Sequence, residues 1–259
     1  MFTKFWEWTG IGEKKGWDFL QLIIIPIVIF WGTQYFSEKS NEQQQEIATD
    51  RYRQEALTKY FEQMSQLLLD KNLRKEGSEA RTIARARTLS TLRELDGFRK
   101  GLLIKFLAEA ELVSKEKVVI SVVDANLKGA DLSGADLKNT DLIDADLSGA
   151  HLVDARLINA SLINADLSGA YFIRTDLKNT DLKNADLRDA YFSEVKNLGK
   201  KKIKSACFWE EAIYTDADWN NEIRKWVVKD KKANQKRIEE IKRDKASDPK
   251  TPPNCNRWN

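Results

Sequence analysis

Between residues 125 and 192 the apolar positions recur every five residues. Leu127, Leu132, Leu137, Leu142, Leu147, Leu152, Leu157, Leu162, Leu167, Phe172, Leu177, Leu182, Leu187 and Phe192 follow one another without a miss, and two residues before each stands Ala or Thr. This period suits neither a helix, which wants spacings of 3, 4 and 7, nor a half-buried strand, which wants strict alternation. Self-similarity at a fixed short period instead marks a solenoid, whose units stack to bury a continuous core. The Leu or Phe must point inward in every unit. The residue two positions earlier also points inward, near a corner, and has to be small.

A second period of twenty lies on the first. Gly129, Gly149 and Gly169 are spaced by it, as are Asn139, Asn159 and Asn179, and Phe172 and Phe192. The run ANLKG ADLSG ADLKN TDLID resembles the pentapeptide-repeat family, with Thr140, Thr175 and Thr180 in place of Ala and Phe172 and Phe192 in place of Leu. The resemblance implies a right-handed quadrilateral β-helix with four pentapeptides per coil. Residues twenty apart would then stack at the strand spacing of a sheet, roughly 4.8 Å. Coil ends expose unpaired edges and need covers. The N-terminal cap is expected at Val118–Val123, and the exit cap in a short helix within Lys204–Tyr214.

Outside the repeats the pattern changes. Residues Phe19–Phe36 carry a run without polar residues, Leu22–Trp31, including Ile25, Pro26 and Ile29. Its length and the flanking Trp17, Trp31 and Tyr35 predict a transmembrane helix that Pro26 would kink. A cleaved signal peptide is the alternative, but no small-residue cleavage site follows. The expectation is therefore a single-pass protein of the plasma or thylakoid membrane, with residues 19–36 in the lipid bilayer. Lys4, Lys14 and Lys15 precede the span and Lys39 follows it, which leans the bulk of the chain to the extracytoplasmic side. Ser40–Leu112 shows helical spacing with breaks near Gly77 and at Asp96–Gly97, predicting two antiparallel helices and a short third. This stretch resembles a helical module placed before pentapeptide repeats in cyanobacterial proteins. Asp218–Lys245 reads as a charged helix with Ile223, Trp226, Val227, Ile238 and Ile241 on one side, and the proline-rich end as disordered.

The expected architecture is α+β in several parts. Residues 1–37 form the N-terminal segment and anchor, 38–117 the helical module and 118–197 the β-helix. Residues 198–245 form the C-terminal cap and charged helix, and 246–259 the tail.

The net charge of +3 conceals an uneven distribution. Residues 1–119 carry 19 Lys and Arg against 17 Asp and Glu, residues 120–195 carry 7 against 13, and residues 196–259 carry 17 against 10. The basic end could meet nucleic acid or anionic lipid, but mixed charge on a solvated helix accounts for it better.

Candidate chemistry is sparse. There is one histidine, His151, and two cysteines, Cys207 and Cys255, far apart in sequence. No metal-ligand spacing, phosphate-cradling glycine loop or nucleophile elbow is present. The repeat aspartates point outward and read as solubilising. The chain therefore reads as non-enzymatic, with no catalytic residue, cofactor, metal or small-molecule substrate. The outward positions say more. Stacking by twenty brings His151, Tyr171 and Tyr191 into one column, with Val153 and Ile173 beside it and Ile158 on an adjacent face. Such an apolar patch suits a protein partner. The expected function is a membrane-anchored scaffold presenting the β-helix for protein–protein interaction. The alternative is an acidic rod that mimics DNA towards an enzyme such as a type II topoisomerase, as some pentapeptide-repeat proteins do. Nucleic acid itself is disfavoured as a partner.

Overall fold

The structure is a computed structural model describing residues 13–69, 73–220 and 225–258; the side chains of 13–29, 32, 33, 36 and 225 are outside that description. Two units are present, Met1–Tyr52 and Arg53–Asn259.

The first unit is helical where it is described. Helix α1, Glu13–Leu69, begins in it. Trp31, Tyr35 and Ile47 are exposed, among Glu38, Lys39, Glu42 and Glu46. Among the described residues no helix is long and apolar enough to cross a membrane. The single-pass membrane placement is corrected accordingly. The described side chains of α1 are polar and charged along most of its length, whereas a span needs about 20 mainly apolar residues. Of the residues assigned to the anchor, Phe19, Leu22, Ile25, Pro26 and Ile29 lie outside the described side chains, and Trp31 is exposed.

The second unit holds the core. Its helical part comprises the end of α1, α2 (Glu79–Glu94) and α3 (Gly97–Glu109). Gly77, at φ +68°, turns the chain before α2, a conformation that only glycine adopts at no steric cost. Leu57, Tyr60 and Met64 of α1 are buried with Ala84 and Leu92 of α2. The Tyr60 hydroxyl meets Thr88 Oγ1 at 2.8 Å, while Thr88 donates to Ala84 O. Burial pushes the Tyr60 hydroxyl up to about 12. Asp96 caps α3 by accepting from Arg99 N at 3.0 Å.

From Ala125 onward the chain winds into a four-column β-helix. Parallel bridges join residues twenty apart: Asn126, Asp146, Asp166 and Asp186; Asp131, His151, Tyr171 and Tyr191; Asp136, Arg156, Asp176 and Lys196; Asp141, Ser161 and Asp181. Only β1 (Tyr171–Ile173) and β2 (Tyr191–Ser193) are long enough to count as strands. All fourteen Leu and Phe of the repeat are at most 3% exposed. Thr175 and Thr180 occupy the inward small position without an orphan hydroxyl, because each Oγ1 donates at 2.7 Å, to Leu152 O and Leu157 O.

The corners explain the other repeat positions. Two residues after each inward Leu the backbone is left-handed, at Gly129 (φ +64°), Asn139 (φ +55°) and Asp144 (φ +59°) for example. Gly, Asn and Asp tolerate that region best. Where an aspartate precedes the inward Leu it closes an Asx turn: Asp131, Asp146, Asp166, Asp176 and Asp181, for example, accept the backbone N–H two residues on, at 2.9–3.1 Å. Their role is conformational first, and solubility follows from it. Asp186 departs from the outward rule: it is fully buried, beneath the Arg188 guanidinium.

The ends are closed differently from the sequence expectation. Val119, Ile120 and Val122 are buried ahead of the first coil, but α3 also docks there. Gly97 O accepts from Asp131 N at 2.8 Å, and Lys100 Nζ reaches Asn126 Oδ1 and Lys128 O. Burial lowers the Lys100 ammonium, against the pull of Asp146 and Asp96. At the exit, α4 (Lys200–Lys204) is short, and the chain beyond it rejoins the β-helix. Cys207 bridges to Asp186 and Ile213 to Tyr191, so the exit segment adds rungs rather than forming a helical lid.

The charged helix expected over Asp218–Lys245 is divided. An antiparallel hairpin, β3 (Ala217–Asn220) with β4 (Lys225–Val228), precedes α5 (Lys231–Arg243). Trp219 pairs with Trp226 across it, and Asp230 caps α5 by accepting from Ala233 N. The tail is likewise not free. Cys255 is disulfide-bonded to Cys207, Asn254 N donates to Asn184 Oδ1 at 2.8 Å, and Trp258 Nε1 donates to Asn184 O at 2.9 Å.

Candidate functional site

Stacking by twenty places Asp131, His151, Tyr171 and Tyr191 in one column, which Ile213, twenty-two residues on, extends. The His151 and Tyr171 rings meet edge to face at 4.7 Å. On this column lies the hairpin. Trp226 packs against Tyr191 at 4.9 Å and against Tyr171 at 5.9 Å, and Trp219 lies 6.2 Å from Tyr171 and 5.8 Å from Trp226. A small apolar core forms from Tyr191, Ile213 and Ala217, with Tyr171, Ile173, Trp226 and Val228 packed on it.

Exposure therefore grades along the column. Tyr191 is buried, Tyr171 half-buried and His151 exposed. Burial raises the Tyr171 hydroxyl. Ile173 joins the aromatic cluster. Val153 and Ile158 are half-buried outside it, the latter between Arg156 and Asn159 on the neighbouring column. Trp219 (42% exposed) and Val227 (36%) face outward from the hairpin. A 150 Å³ hollow beside the cluster is lined by Ser168, Gly169, Tyr171, Asp189 and Trp226.

The hairpin aromatics were not legible as part of this surface. Trp219 and Trp226 flank residues 221–224, which lie outside the described ones, and their spacing is ambiguous between strand and helix. The available signal was the Trp219–Trp226 pair seven residues apart across a polar stretch.

The other columns carry polar ladders. Asn179 donates to Asn159 and Asn159 to Asn139, at 3.0–3.1 Å. Carboxylates on this surface are mostly engaged. Arg156 meets Asp136 at 3.3 Å, and Arg174 binds Asp154 through both Nε and Nη2. Those two bonds hold the Asp154 carboxyl below its ordinary value. The Ser133 hydroxyl does the same for Asp131, against the effect of burial. Among the described residues no group of His, Cys, Asp and Glu side chains converges as metal ligands would.

The family model "Pentapeptide repeats" matches residues 123–157 and 150–189, in eight copies. Residues 123–189 are a pentapeptide-repeat domain. Solved structures resembling it include Rfr23, a pentapeptide repeat protein from the cyanobacterium Cyanothece 51142. It is 25% identical, over 37% of this chain and 65% of that one, with a TM-score of 0.30. A pentapeptide repeat protein of the Arabidopsis thaliana thylakoid lumen is 26% identical over 37% and 66%, with a TM-score of 0.22. QnrB1, a plasmid-mediated fluoroquinolone resistance protein, is 17% identical over 38% and 56%, also at 0.22. The chain spans less than two thirds of each of these structures. No curated protein matches the sequence.

Proposed function

We propose that this protein is a non-enzymatic scaffold whose pentapeptide-repeat domain presents a rigid surface to a protein partner. The observation that carries the reading is the aromatic column only half covered by the chain's own hairpin. His151, Tyr171 and Trp219 form a connected strip, with Val153 beside it. Tyr and Trp offer large contact area at low entropic cost. Stacked coils hold their outward positions in fixed register, so the strip is preorganised.

The DNA-mimic reading needs a continuous track of available carboxylates. Asp136, Asp154 and Asp186 are instead paired with Arg156, Arg174 and Arg188. The protein-binding reading is the better supported.

Photo-crosslinking tests it. A photoreactive residue placed at Val153 or Trp219 should yield a discrete crosslinked protein in the native cell, and His151→Ser with Trp219→Ser should remove the product formed from position 153. The same probe at Lys128, exposed on another column, should yield none. The reading fails if positions 153 and 219 give no product, or give the same product as 128.

A further inference from the structure

Past α5 the chain returns to the repeat domain. Lys204 Nζ, on α4, holds the turn through Asp244 O at 2.7 Å and Asp248 Oδ1 at 2.6 Å. From Pro249 the chain forms a strap against the coils. Among the described residues no backbone–backbone hydrogen bond joins residues 249–258 to a coil, so the strap is not one more rung.

Three polar contacts and one covalent bond fix it instead. The polar contacts all end on one corner of the β-helix, where Asn184 donates to Asn164 at 3.1 Å and Asn164 to Asp144 at 3.3 Å. Asn254 N donates to Asn184 Oδ1, the Trp258 indole donates to Asn184 O, and Arg257 pairs with Asp144. The side chains of Arg257 and Asp144 are 47% and 33% exposed, and ion pairs so placed are individually weak. The covalent bond is Cys207–Cys255. It keeps the weak contacts at a high effective concentration, which falls once the link is cut.

The two sulfurs are not equivalent. Cys207 sits in the last rung, where its amide donates to Ala185 O and its carbonyl accepts from Leu187 N. It is 1% exposed. Cys255 belongs to the strap and is half-buried. Access decides which sulfur of a disulfide a thiolate attacks. While the strap is in place, Cys207 is closed and the approach is at Cys255.

We propose that Cys207–Cys255 is a reducible latch, opened from its Cys255 end by a dithiol reductant, and that opening it uncovers the Asp144–Asn164–Asn184 corner. The attacking thiolate bonds to Cys255 Sγ, the S–S bond breaks, and its electron pair goes to Cys207 Sγ, which takes up a proton. The reductant's second thiol loses its proton and attacks its own sulfur in the mixed disulfide, and Cys255 leaves and is protonated. Two electrons and two protons pass from the dithiol to the protein. The strap then swings from Asp248, which Lys204 still holds. Asp144 loses its guanidinium and Asn184 loses two donors. The hollows of about 1170 Å³ beside α4 and about 580 Å³ beside Trp209 both lose the wall that Pro249 gives them. The scaffold thus presents one surface when oxidised and another when reduced, on unchanged coils.

The test uses the full chain under native conditions. Brief treatment with glutathione and an acid quench should place the glutathione adduct on Cys255, read by peptide mass spectrometry. Complete reduction with dithiothreitol followed by iodoacetamide should alkylate both cysteines, because the departing strap exposes Cys207. Cys255→Ser should open the strap without any reductant. The Asn254 amide and the Trp258 indole should then exchange as in an unstructured chain, while the Leu142 and Leu162 amides keep their protection. The latch is overturned if the adduct forms on Cys207, if Cys207 resists alkylation after reduction, or if the bond is reduced only in denaturant that also unfolds the coils. Loss of protection at Leu142 and Leu162 in Cys255→Ser would likewise overturn it, since the bond would then be a staple of the whole fold.

Discussion

The Trp226 indole lies against the Tyr191 phenol, ring centroids 4.9 Å apart at an angle of 32°. This contact makes the hairpin β3–β4 part of the repeat domain's side wall rather than an appendage.

A two-stranded hairpin is marginal by itself in water, so this one depends on the surface beneath it. Trp226→Ala removes the ring shared by Tyr171, Tyr191 and Trp219. The expected loss is roughly 2 kcal/mol, below the ~3–5 of a fully buried aromatic because Trp226 is only half-buried. It should be local. Hydrogen exchange over residues 213–230 should accelerate while the coils at 125–190 keep their protection. Uniform loss of protection would show that hairpin and β-helix unfold as one unit.

At the opposite end, α3 approaches the first coil through two glycines. A Cβ at Gly97 would overlap Gly129 O, and one at Gly101 would overlap Asp131 O. Both obstacles are backbone atoms that cannot swing aside. In an isolated helix Gly101→Ala would stabilise by about 1 kcal/mol. Here steric overlap should reverse the sign and destabilise by roughly 1–3 kcal/mol, read as a lower midpoint in urea. A gain in stability would contradict the docking of α3.

These two contacts show what could be read from residues alone. The inward Leu of each unit was legible because every coil repeats the same demand, as the twenty-residue spacing of Phe172 and Phe192 shows. That pair stacks at 4.9 Å, and Tyr214 extends the stack at 5.6 Å. Tyr214, read only as the end of the exit cap, was not legible as part of this stack because α4 inserts extra residues and shifts the register to twenty-two. Gly97 was read as a helix break and Gly101 drew no reading, since a contact made by the absence of a side chain leaves no positive pattern. The hairpin was lost to charge density. Trp226, Val227 and Ile223 suit a helix face as readily as a strand, and Tyr191, which selects the strand, lies far away in sequence. No spacing rule joins Cys207 to Cys255.

Acid should weaken the fold in a defined direction. Hydrogen bonds from Arg174, Lys200 and Lys204 hold the carboxyls of Asp154, Asp244 and Asp248 below their ordinary value of 3.8. A carboxylate depressed in the folded state adds stability above its unfolded pKa, and loses it as pH falls through the folded one. Thermal stability should thus hold at neutral pH and decline below about pH 4. The three sites are solvent-exposed, so added salt should shrink the effect. Asp248→Asn should flatten the acid limb, and an unchanged limb would remove Asp248 from the account.

The disulfide bears on the whole C-terminal region, because it joins positions 48 residues apart and anchors the tail to the last rung. Chain-entropy arguments assign such a loop about 4 kcal/mol. Asn184 receives the same tail through Asn254 and Trp258, and Arg257 meets Asp144, so the peptide there is held by several weak ties beside one covalent bond. Reduction, or Cys255→Ser, should free residues 249–258 for proteolysis and lower the melting temperature. It should leave the coils folded, since their fourteen inward side chains do not touch the tail's cysteine chemistry. A reduced protein with an unchanged melting temperature and a protease-resistant tail would mean that the noncovalent ties alone hold the tail.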